Sequence, residues 1–235
     1  MALDDVSATI GQNEFVTILG PSGCGKSTLL KIASQVLEAS AGEVRFEGHP
    51  LRTPTARIGL VFQQPILMPW RTVLQNVLFP IEMMGRRISD HEREARALIE
   101  LVGLEGFENV LPGELSGGMQ QRVAICRALV YDPKVLLMDE PFAALDAITR
   151  EELGMELLRI WSERRKTVVF VTHSIQESVL LSDRVLVMTA RPGRVASSIK
   201  IELPRPRHVG MVSTPEYAAH AEEIRALIGL THGSA

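Results

Sequence analysis

The sequence has 235 residues, of which 46% are hydrophobic and 23% are charged, a composition typical of a globular protein and not of a disordered one. Its 25 basic and 28 acidic residues give a formal net charge of −3, which excludes a general electrostatic attraction for nucleic acid or anionic lipid. Two cysteines, Cys24 and Cys126, are too few for a disulfide framework, and no apolar run approaches the length of about 18 residues that spans a bilayer.

Five short runs of aliphatic and β-branched residues predict buried strands, at residues 15–19, 58–62, 135–138, 167–171 and 184–188. Strands that are apolar along nearly their whole length are typical of a parallel sheet covered on both faces. Between them lie helical patterns. The segment 89–102 begins with a capping box at Ser89 and ends before Gly103, and residues 153–161 mark a second amphipathic helix. The predicted fold class is α/β, with a mainly parallel sheet and a short antiparallel β region.

The middle of the chain has a different pattern. Residues 66–115 combine helical pattern and loop without a convincing strand, which indicates a helical insertion in the α/β core. We expect a single domain over residues 1–235, whose core comprises residues 1–65 and 116–203. The proline-rich segment 204–207 predicts an extended linker, followed by a short helix over 218–227, so residues 204–235 are predicted to form a C-terminal tail.

A glycine-rich loop follows the first predicted strand directly. Residues 20–27, GPSGCGKS, match the pattern G-x-x-x-x-G-K-[ST] between a strand and a helix, which is typical of a phosphate-binding loop. Backbone amides and the helix N-terminus attract phosphate, while Lys26 is expected to reach the β- and γ-phosphates and the Ser27 hydroxyl to bind Mg²⁺. Cys24 is expected to be a small residue that the loop tolerates, not a redox group. The predicted nucleotide-binding residues are Gly20, Pro21, Ser22, Gly23, Cys24, Gly25, Lys26, Ser27 and Thr28.

Two carboxylates end the predicted strand at residues 135–138. In a phosphate-loop fold this strand lies beside the loop, so Asp139 is predicted to hold Mg²⁺ through water. Glu140 follows at once and is predicted to polarise the attacking water as general base. A lone Asp-Glu pair would otherwise be a solvated strand end. With a phosphate loop in the same chain, we favour a nucleoside triphosphate hydrolase.

Residues 115–122, LSGGMQQR, resemble the signature of the ATP-binding cassette (ABC) family and precede the Asp139 strand by a short interval. A serine followed by two glycines also opens a helix whose free amides can bind an anion. The resemblance implies a head-to-tail dimer, in which each ATP lies between the phosphate loop of one chain and the signature of the other. It implies that the partner's nucleotide is contacted by Ser116, Gly117, Gly118 and Gln120.

Three further residues match motifs of that family in the expected order. Gln63 corresponds to the glutamine that contacts Mg²⁺ and senses the γ-phosphate, and His173 to the switch histidine that bonds the γ-phosphate. Asp146 ends the segment FAALD and corresponds to the residue that communicates across the dimer. The resemblance therefore implies catalytic roles for Glu140, His173 and Gln63, and metal binding by Ser27, Gln63 and Asp139.

Residues 64–73, 172–178, 188–194 and 203–207 are similar to the ATPases of importers for nitrate, sulfonates and taurine. This resemblance implies an ATPase that uses ATP and Mg²⁺ to energise import of a small anionic or related solute; relatives for bicarbonate and thiamine precursors share these motifs. The implied partners are a second copy, membrane-spanning permease subunits and, indirectly, a periplasmic or extracellular solute-binding protein, with no nucleic acid. The implied location is peripheral, on the cytoplasmic face of the bacterial plasma membrane.

The segment near residues 63–73 is expected to receive a short helix of the permease, through exposed Leu67, Met68 and Trp70. The alternative is that Trp70 lies in a local core, since tryptophan is often largely buried.

One departure from the family concerns adenine, which normally stacks on an aromatic residue upstream of residues 3–6. The only aromatic residue before the phosphate loop here is Phe15, which is predicted to be core. We therefore expect a shortened N-terminal segment and an ATP site without aromatic stacking.

Two functions from other classes serve as alternatives. Soluble ABC ATPases of DNA repair or translation usually carry two cassettes in one chain or a long coiled coil, and this sequence has neither. A phosphate-loop GTPase would need an Asn-Lys-x-Asp guanine motif, and no such tetrad occurs in the sequence. The importer ATPase is therefore the favoured interpretation.

Overall fold

The computed structural model describes residues 1–232, in which eight strands and seven α-helices form. The strands are β1 (Phe15–Leu19), β2 (Arg45–Phe46), β3 (His49–Pro50), β4 (Ile58–Val61), β5 (Val135–Asp139), β6 (Thr167–Thr172), β7 (Arg184–Met188) and β8 (Val195–Lys200). The helices are α1 (Lys26–Ala33), α2 (Val73–Met83), α3 (Glu92–Leu101), α4 (Gly117–Leu129), α5 (Ala147–Arg164), α6 (Ile175–Leu181) and α7 (Pro215–His232). The five predicted strands are confirmed as β1, β4, β5, β6 and β7, each to within a residue at its end.

Six strands form the central sheet in the order β4-β5-β6-β1-β7-β8, and β8 runs antiparallel to β7. The strands β2 and β3 pair separately as a short antiparallel ribbon. Leu19 pairs with Thr172 and Asp139 pairs with Val171, so the carboxyl ends of β1, β5 and β6 lie at one edge of the sheet. The predicted α/β fold is confirmed, and this edge is where such sheets bind ligands.

Helices and loops bury both faces of the sheet. Phe15 is fully buried, with its ring centroid 6.0 Å from that of Phe170 and 6.2 Å from that of Trp161. Because β1 is central in the sheet, its side chains meet apolar groups on both sides, as a strand apolar along its whole length requires. The prediction that Phe15 belongs to the core is confirmed.

Residues 66–115 contain α2, α3 and two short 3₁₀ turns, and no strand is found within this part of the described chain. Buried side chains of α2 and α3, among them Val77, Ile81 and Leu98, pack into the same cluster as Val123 of α4. The helical character of the segment agrees with its sequence pattern. The exact division of the chain into core, insertion and tail stays a prediction.

The predicted capping box at Ser89 is wrong. Residues 88–90 form a 3₁₀ turn, so α3 starts after His91 without a side-chain cap, and the Ser89 hydroxyl bonds the carboxylate of Asp90 at 3.2 Å instead. A capping box does form at α2, where the Thr72 amide donates to Gln75 Oε1 at 3.0 Å. Gly103 follows α3 with φ of 67°, the left-handed conformation that is common directly after a helix, so its predicted place at the C-terminal cap is confirmed.

The predicted linker at residues 204–207 is also wrong, because this segment is anchored to the fold. Arg207 is buried and donates to the carbonyl oxygens of Val179 and Ser182 at the end of α6. The helix that follows is longer than the predicted 218–227, and its Tyr217 and Ile224 are buried beside α6. Residues 233–235 of the predicted tail lie outside the described residues. None of the helices within residues 1–232 is long and apolar enough to cross a membrane.

Candidate active site

The glycine-rich loop connects β1 to α1 and bends sharply at two glycines. Gly23 and Gly25 have φ of 78° and 108°, values that side chains other than glycine rarely adopt. A Cβ atom at Gly25 would lie 2.6 Å from Cδ2 of Leu3, so the N-terminal segment also needs this position to be bare. The loop therefore presents backbone amides, and not side chains, at the start of α1.

Lys26 is the best-fixed side chain of the loop. It is only 4% exposed, and its ammonium donates to the carbonyl oxygens of Gly20 and Pro21 at 2.8 and 2.9 Å. Its Nζ also lies 3.8 Å from Oε1 of Glu140. The charge of Lys26 is thus held by the loop itself and directed toward the carboxylate at the end of β5.

An open cleft of about 340 Å³ lies above the loop. Six of its lining residues belong to the predicted nucleotide site, namely Ser22, Gly23, Gly25, Lys26, Ser27 and Thr28. Gly20, Pro21 and Cys24 do not line it: Gly20 and Cys24 are buried behind the loop, and Pro21 helps to hold Lys26. Cys24 is free and fully buried, which agrees with its predicted structural role.

Asp139 and Ser27 form a pair of oxygen donors next to this cleft. The Ser27 hydroxyl donates to Oδ1 of Asp139 at 2.9 Å, which joins the end of β5 to the start of α1. Burial raises the pKa of Asp139, and the hydrogen bond from Ser27 opposes that effect. A hydroxyl and a carboxylate held together in this way are suitable ligands for a hard cation.

Glu140 lines the cleft and lies between two basic groups. Its Oε2 is 3.1 Å from Nδ1 of His173, on the side opposite its contact with Lys26. The backbone of Glu140 has φ of 43°, a conformation that costs a residue with a side chain about 1–3 kcal/mol. This strained backbone turns the carboxylate out of the strand and toward the phosphate loop, where it can accept a proton from water.

Gln63 lies two residues beyond the end of β4, the edge strand next to β5. Val61 pairs with Met138, so the chain after β4 runs alongside Asp139 and Glu140. The Gln63 side chain is exposed, and it neither lines the cleft nor has a hydrogen-bond partner among the described residues. Its predicted contact with a metal stays a prediction.

The signature residues lie outside the cleft of their own chain. Ser116 caps α4, and its hydroxyl accepts from the amide of Met119 at 3.3 Å. Gly117 is exposed, and a Cβ atom there would meet nothing within 4 Å; at buried Gly118 it would lie 2.7 Å from Cγ2 of Thr149. The Gln120 amide donates to the carbonyl oxygens of Pro112 and Leu115, so this residue also holds the approach to α4.

Asp146 caps α5. Its carboxylate accepts from the hydroxyl and the amide of Thr149 at 2.7 and 3.0 Å, and the hydroxyl contact is the main cause that lowers the pKa of Asp146. Since the side chain is exposed and ionised, it is available at the surface beside the Phe142–Leu145 turn. It does not reach the cleft of its own chain.

Two residues that line the cleft were not among the predicted site residues, Ala2 and Arg191. Arg191 donates from Nε to the carbonyl oxygen of Met1 at 3.1 Å and has no carboxylate partner among the described residues. Ala2 belongs to no motif, and Arg191 lies in the segment 188–194, whose resemblance to importer ATPases gave it no role at the nucleotide. Arg191 adds a positive charge to the lining of the cleft.

Comparisons with known proteins agree with this geometry. The family model described as "ABC transporter" matches residues 3–143. An uncharacterised ABC transporter ATP-binding protein of Methanocaldococcus jannaschii is 53% identical over 216 residues, which cover 92% of this chain and 81% of that protein. A taurine import ATP-binding protein of Rhizobium johnstonii is 45% identical over 237 residues, covering 98% of this chain and 90% of the relative. The dimeric, post-hydrolysis structure of an ATP-binding cassette bound to ADP and phosphate superposes with a TM-score of 0.75 at 36% identity, covering 86% of this chain and 92% of that one.

Proposed function

The chain belongs to the ABC transporter family and is an ATPase of that family, and we propose that it energises an importer for a small anionic or related solute of the nitrate, sulfonate or taurine type. One observation carries the hydrolytic part of this proposal. Glu140 has a strained backbone at the end of β5, and its carboxylate lines the phosphate-loop cleft between Lys26 and His173. This arrangement suits the cleavage of ATP to ADP and phosphate by water.

The phosphates of ATP are proposed to lie on the amides of residues 22–27, with Lys26 near the β- and γ-phosphates. Mg²⁺ fits the oxygen donors of Ser27 and Asp139, since this ion usually takes one or two protein oxygens together with substrate phosphates and water. Gln63 is proposed to approach it from the end of β4. When bound, the ion neutralises the charge that develops on the phosphate oxygens.

Glu140 is proposed as the general base. It accepts a proton from the water that attacks the γ-phosphate, and its 3.1 Å contact with His173 fixes the direction of the carboxylate. Because Nδ1 of His173 faces Glu140, the other ring nitrogen is available for the γ-phosphate. Lys26 supplies positive charge to the same phosphate, so the attacking and departing groups meet a preorganised set of charges.

The second copy of the chain is proposed to close the site. Gly118 is needed for packing against Thr149, but nothing in the protomer requires a glycine at Gly117, and the Ser116 cap next to it is exposed. An exposed helix N-terminus that is bare at its first residue leaves room for an anion. We propose that this anion is the γ-phosphate held by the partner, with Ser116, Gly117, Gly118 and Gln120 forming the surface and Asp146 joining the two chains.

The permease is proposed to bind near residues 63–73. Trp70 is 73% exposed and Ile66 is 62% exposed, so the alternative that places Trp70 in a local core is wrong. The predicted exposure of Leu67 and Met68 is wrong, because both are half-buried and Leu67 packs against the main core. Two large apolar side chains exposed within five residues of sequence favour a partner protein. Through that permease the chain is proposed to lie on the cytoplasmic face of the plasma membrane and to respond to a solute-binding protein.

The test combines this chain with candidate permease and solute-binding proteins from the same genome, reconstituted in lipid vesicles. We expect Mg²⁺-dependent ATP hydrolysis that rises when the binding protein is loaded with taurine, an alkanesulfonate or nitrate, each tried separately. The matched control contains Lys26→Ala in place of the native chain. Hydrolysis that no permease alters would contradict the importer function and favour a soluble ABC ATPase.

A further inference from the structure

The turn after β6 is closed by hydrogen bonds that involve Glu177. The Thr172 hydroxyl donates to Oε2 of Glu177 at 2.5 Å and accepts from the amide of Ser174 at 3.0 Å. The amide of Glu177 in turn donates to the Ser174 hydroxyl oxygen at 3.2 Å. His173 lies inside this ring of contacts, so the backbone that carries its imidazole is fixed by Glu177.

A second turn, residues 142–146, is held by Arg150 of α5. Its Nη2 donates to the carbonyl oxygen of Leu145 at 2.9 Å, directly before the helix cap Asp146. The buried Nε of Arg150 has no hydrogen-bond partner and lies 3.7 Å from Oε1 of Glu177. The guanidinium therefore contacts one turn and faces the carboxylate that holds the other.

Partial burial makes it unfavourable for Glu177 and Arg150 to stay charged. Burial raises the pKa of Glu177, and the hydrogen bond from Thr172 and the charge of Arg150 oppose that rise. The Arg150 side chain is 32% exposed and that of Glu177 is 13% exposed, and the cost of partly burying two charges offsets much of their attraction. At 3.7 Å the pair is not hydrogen-bonded, and it lines a second cavity of about 140 Å³, so its side chains have space to adjust. Neither residue lines the phosphate-loop cleft.

We propose that Arg150 and Glu177 act together as a positioning pair that keeps the His173 turn and the 142–146 turn, both next to Glu140, in a fixed relation. The proposal rests on the proposed function, because it gives His173 and Asp146 their roles at the γ-phosphate and at the dimer contact. The pair transmits a displacement of one turn to the other. Binding of the partner beside Asp146 and alignment of His173 with Glu140 are thereby coupled.

The test uses the full chain with Glu177→Gln and Arg150→Gln, each alone and both together. Glutamine matches glutamate in size and is a shorter polar replacement for arginine, and either change removes the charge. We expect kcat for ATP hydrolysis to fall about tenfold to a hundredfold in each single variant, as small misplacements of reacting groups do. ATP affinity, measured with EDTA present, should stay within twofold of the native value, since neither residue contacts the phosphate loop. Glu152→Gln, an exposed carboxylate of the same helix, is the matched control.

The double variant separates a coupled pair from two unrelated structural contacts. For a coupled pair, kcat of the double variant should be no lower than that of the worse single variant, because the second change removes nothing more. Three results would overturn the proposal. The first is a double variant whose loss of kcat equals the product of the two single losses. The others are a kcat within twofold of native in either single variant, and an ATP affinity that falls together with kcat. If Arg150→Gln does not fold, Arg150→Lys keeps the charge, and its kcat should lie between the native and Glu177→Gln values; a value below Glu177→Gln would count against the pair.

This experiment distinguishes the pair from the function on which it depends. A native chain that does not hydrolyse ATP would contradict the proposed function and, with it, the positioning pair that rests on it. A native chain that hydrolyses ATP, with Glu177→Gln at the same rate, would contradict the positioning pair alone.

Discussion

Oε2 of Glu140 and Nδ1 of His173 lie 3.1 Å apart, across the carboxyl ends of the neighbouring strands β5 and β6. The parallel register pairs Asp139 with Val171, which brings the residues after each strand to the same edge. The contact therefore depends on the sheet and not on any local motif. It gives Glu140 a fixed direction before nucleotide arrives.

Glu140→Gln should reduce ATP turnover by about 10²- to 10⁴-fold, because the amide cannot accept a proton from the attacking water. ATP binding should persist, since Lys26 and the loop amides are unchanged, and the variant should accumulate as an ATP-bound dimer. Steady-state phosphate release and size-exclusion chromatography with ATP measure the two effects. Turnover at the native rate would show that another group is the base.

The signature should act on the nucleotide of the partner chain. Lys26→Ala removes the phosphate-loop cation, and Ser116→Arg places a long cation where the partner's phosphate is proposed to lie. Each variant alone should be inactive. Mixing the two should create one dimer site with both parts intact and restore part of the hydrolysis, measured at increasing ratios of the two chains. Activity of Ser116→Arg alone would contradict a composite site.

The two signature glycines should respond differently to the same change. Gly118→Ala puts a methyl group 2.7 Å from Cγ2 of Thr149, so it should destabilise the protomer by about 1–3 kcal/mol through overpacking. Gly117→Ala meets nothing in the protomer and should leave the melting temperature unchanged while it lowers ATP hydrolysis. Thermal unfolding and steady-state hydrolysis separate the two variants. Full activity of Gly117→Ala would remove the argument that this position faces a partner.

Trp70→Glu should abolish co-purification with the permease, because it places a charge in the middle of the proposed apolar contact. The isolated chain should keep its stability and its basal hydrolysis, since Trp70 is 73% exposed. Met68 is a poorer position for this test, because its backbone is bonded to the side chain of Asn76 and it is half-buried. The matched control is Val36→Glu, which places the same charge at another exposed apolar residue. If the Trp70→Glu variant still co-purifies with the permease, this surface is not the binding site.

ATP and GTP should bind with affinities within about tenfold of each other, a difference of about 1.4 kcal/mol. No aromatic ring lines the phosphate-loop cleft among the described residues, and the loop is proposed to contact the phosphates, which the two nucleotides share. Arg191→Ala should weaken both nucleotides to a similar extent if its charge acts on phosphate. Isothermal titration with each nucleotide tests this, and a large preference for ATP would indicate that a specific adenine contact exists.

Sites whose residues are consecutive in the chain could be predicted from the sequence alone. The loop from Gly20 to Ser27 has its chemistry in consecutive residues, and the apolar runs that became β1, β4, β5, β6 and β7 specify buried strands wherever they are placed. The place of Asp139 and Glu140 next to the loop could be predicted because both residues stand at the end of an apolar strand. Helix ends were less predictable: the box at Ser89 failed because a 3₁₀ turn took up residues 88–90 and moved the start of α3.

Contacts between distant segments were decided only by the tertiary structure. Arg191 and Ala2 line the phosphate-loop cleft because Gly193, after β7, packs against Cys24 and the chain start packs against Gly25, and these segments are far apart in the sequence. Arg150 meets Glu177 because α5 and α6 both begin at the edge of the sheet where β5 and β6 end. Trp70 could have been core or surface by composition alone. Its exposure was fixed by where α2 and the turn before it lie on the core, since burial depends on the neighbours that the fold supplies and not on the side chain alone.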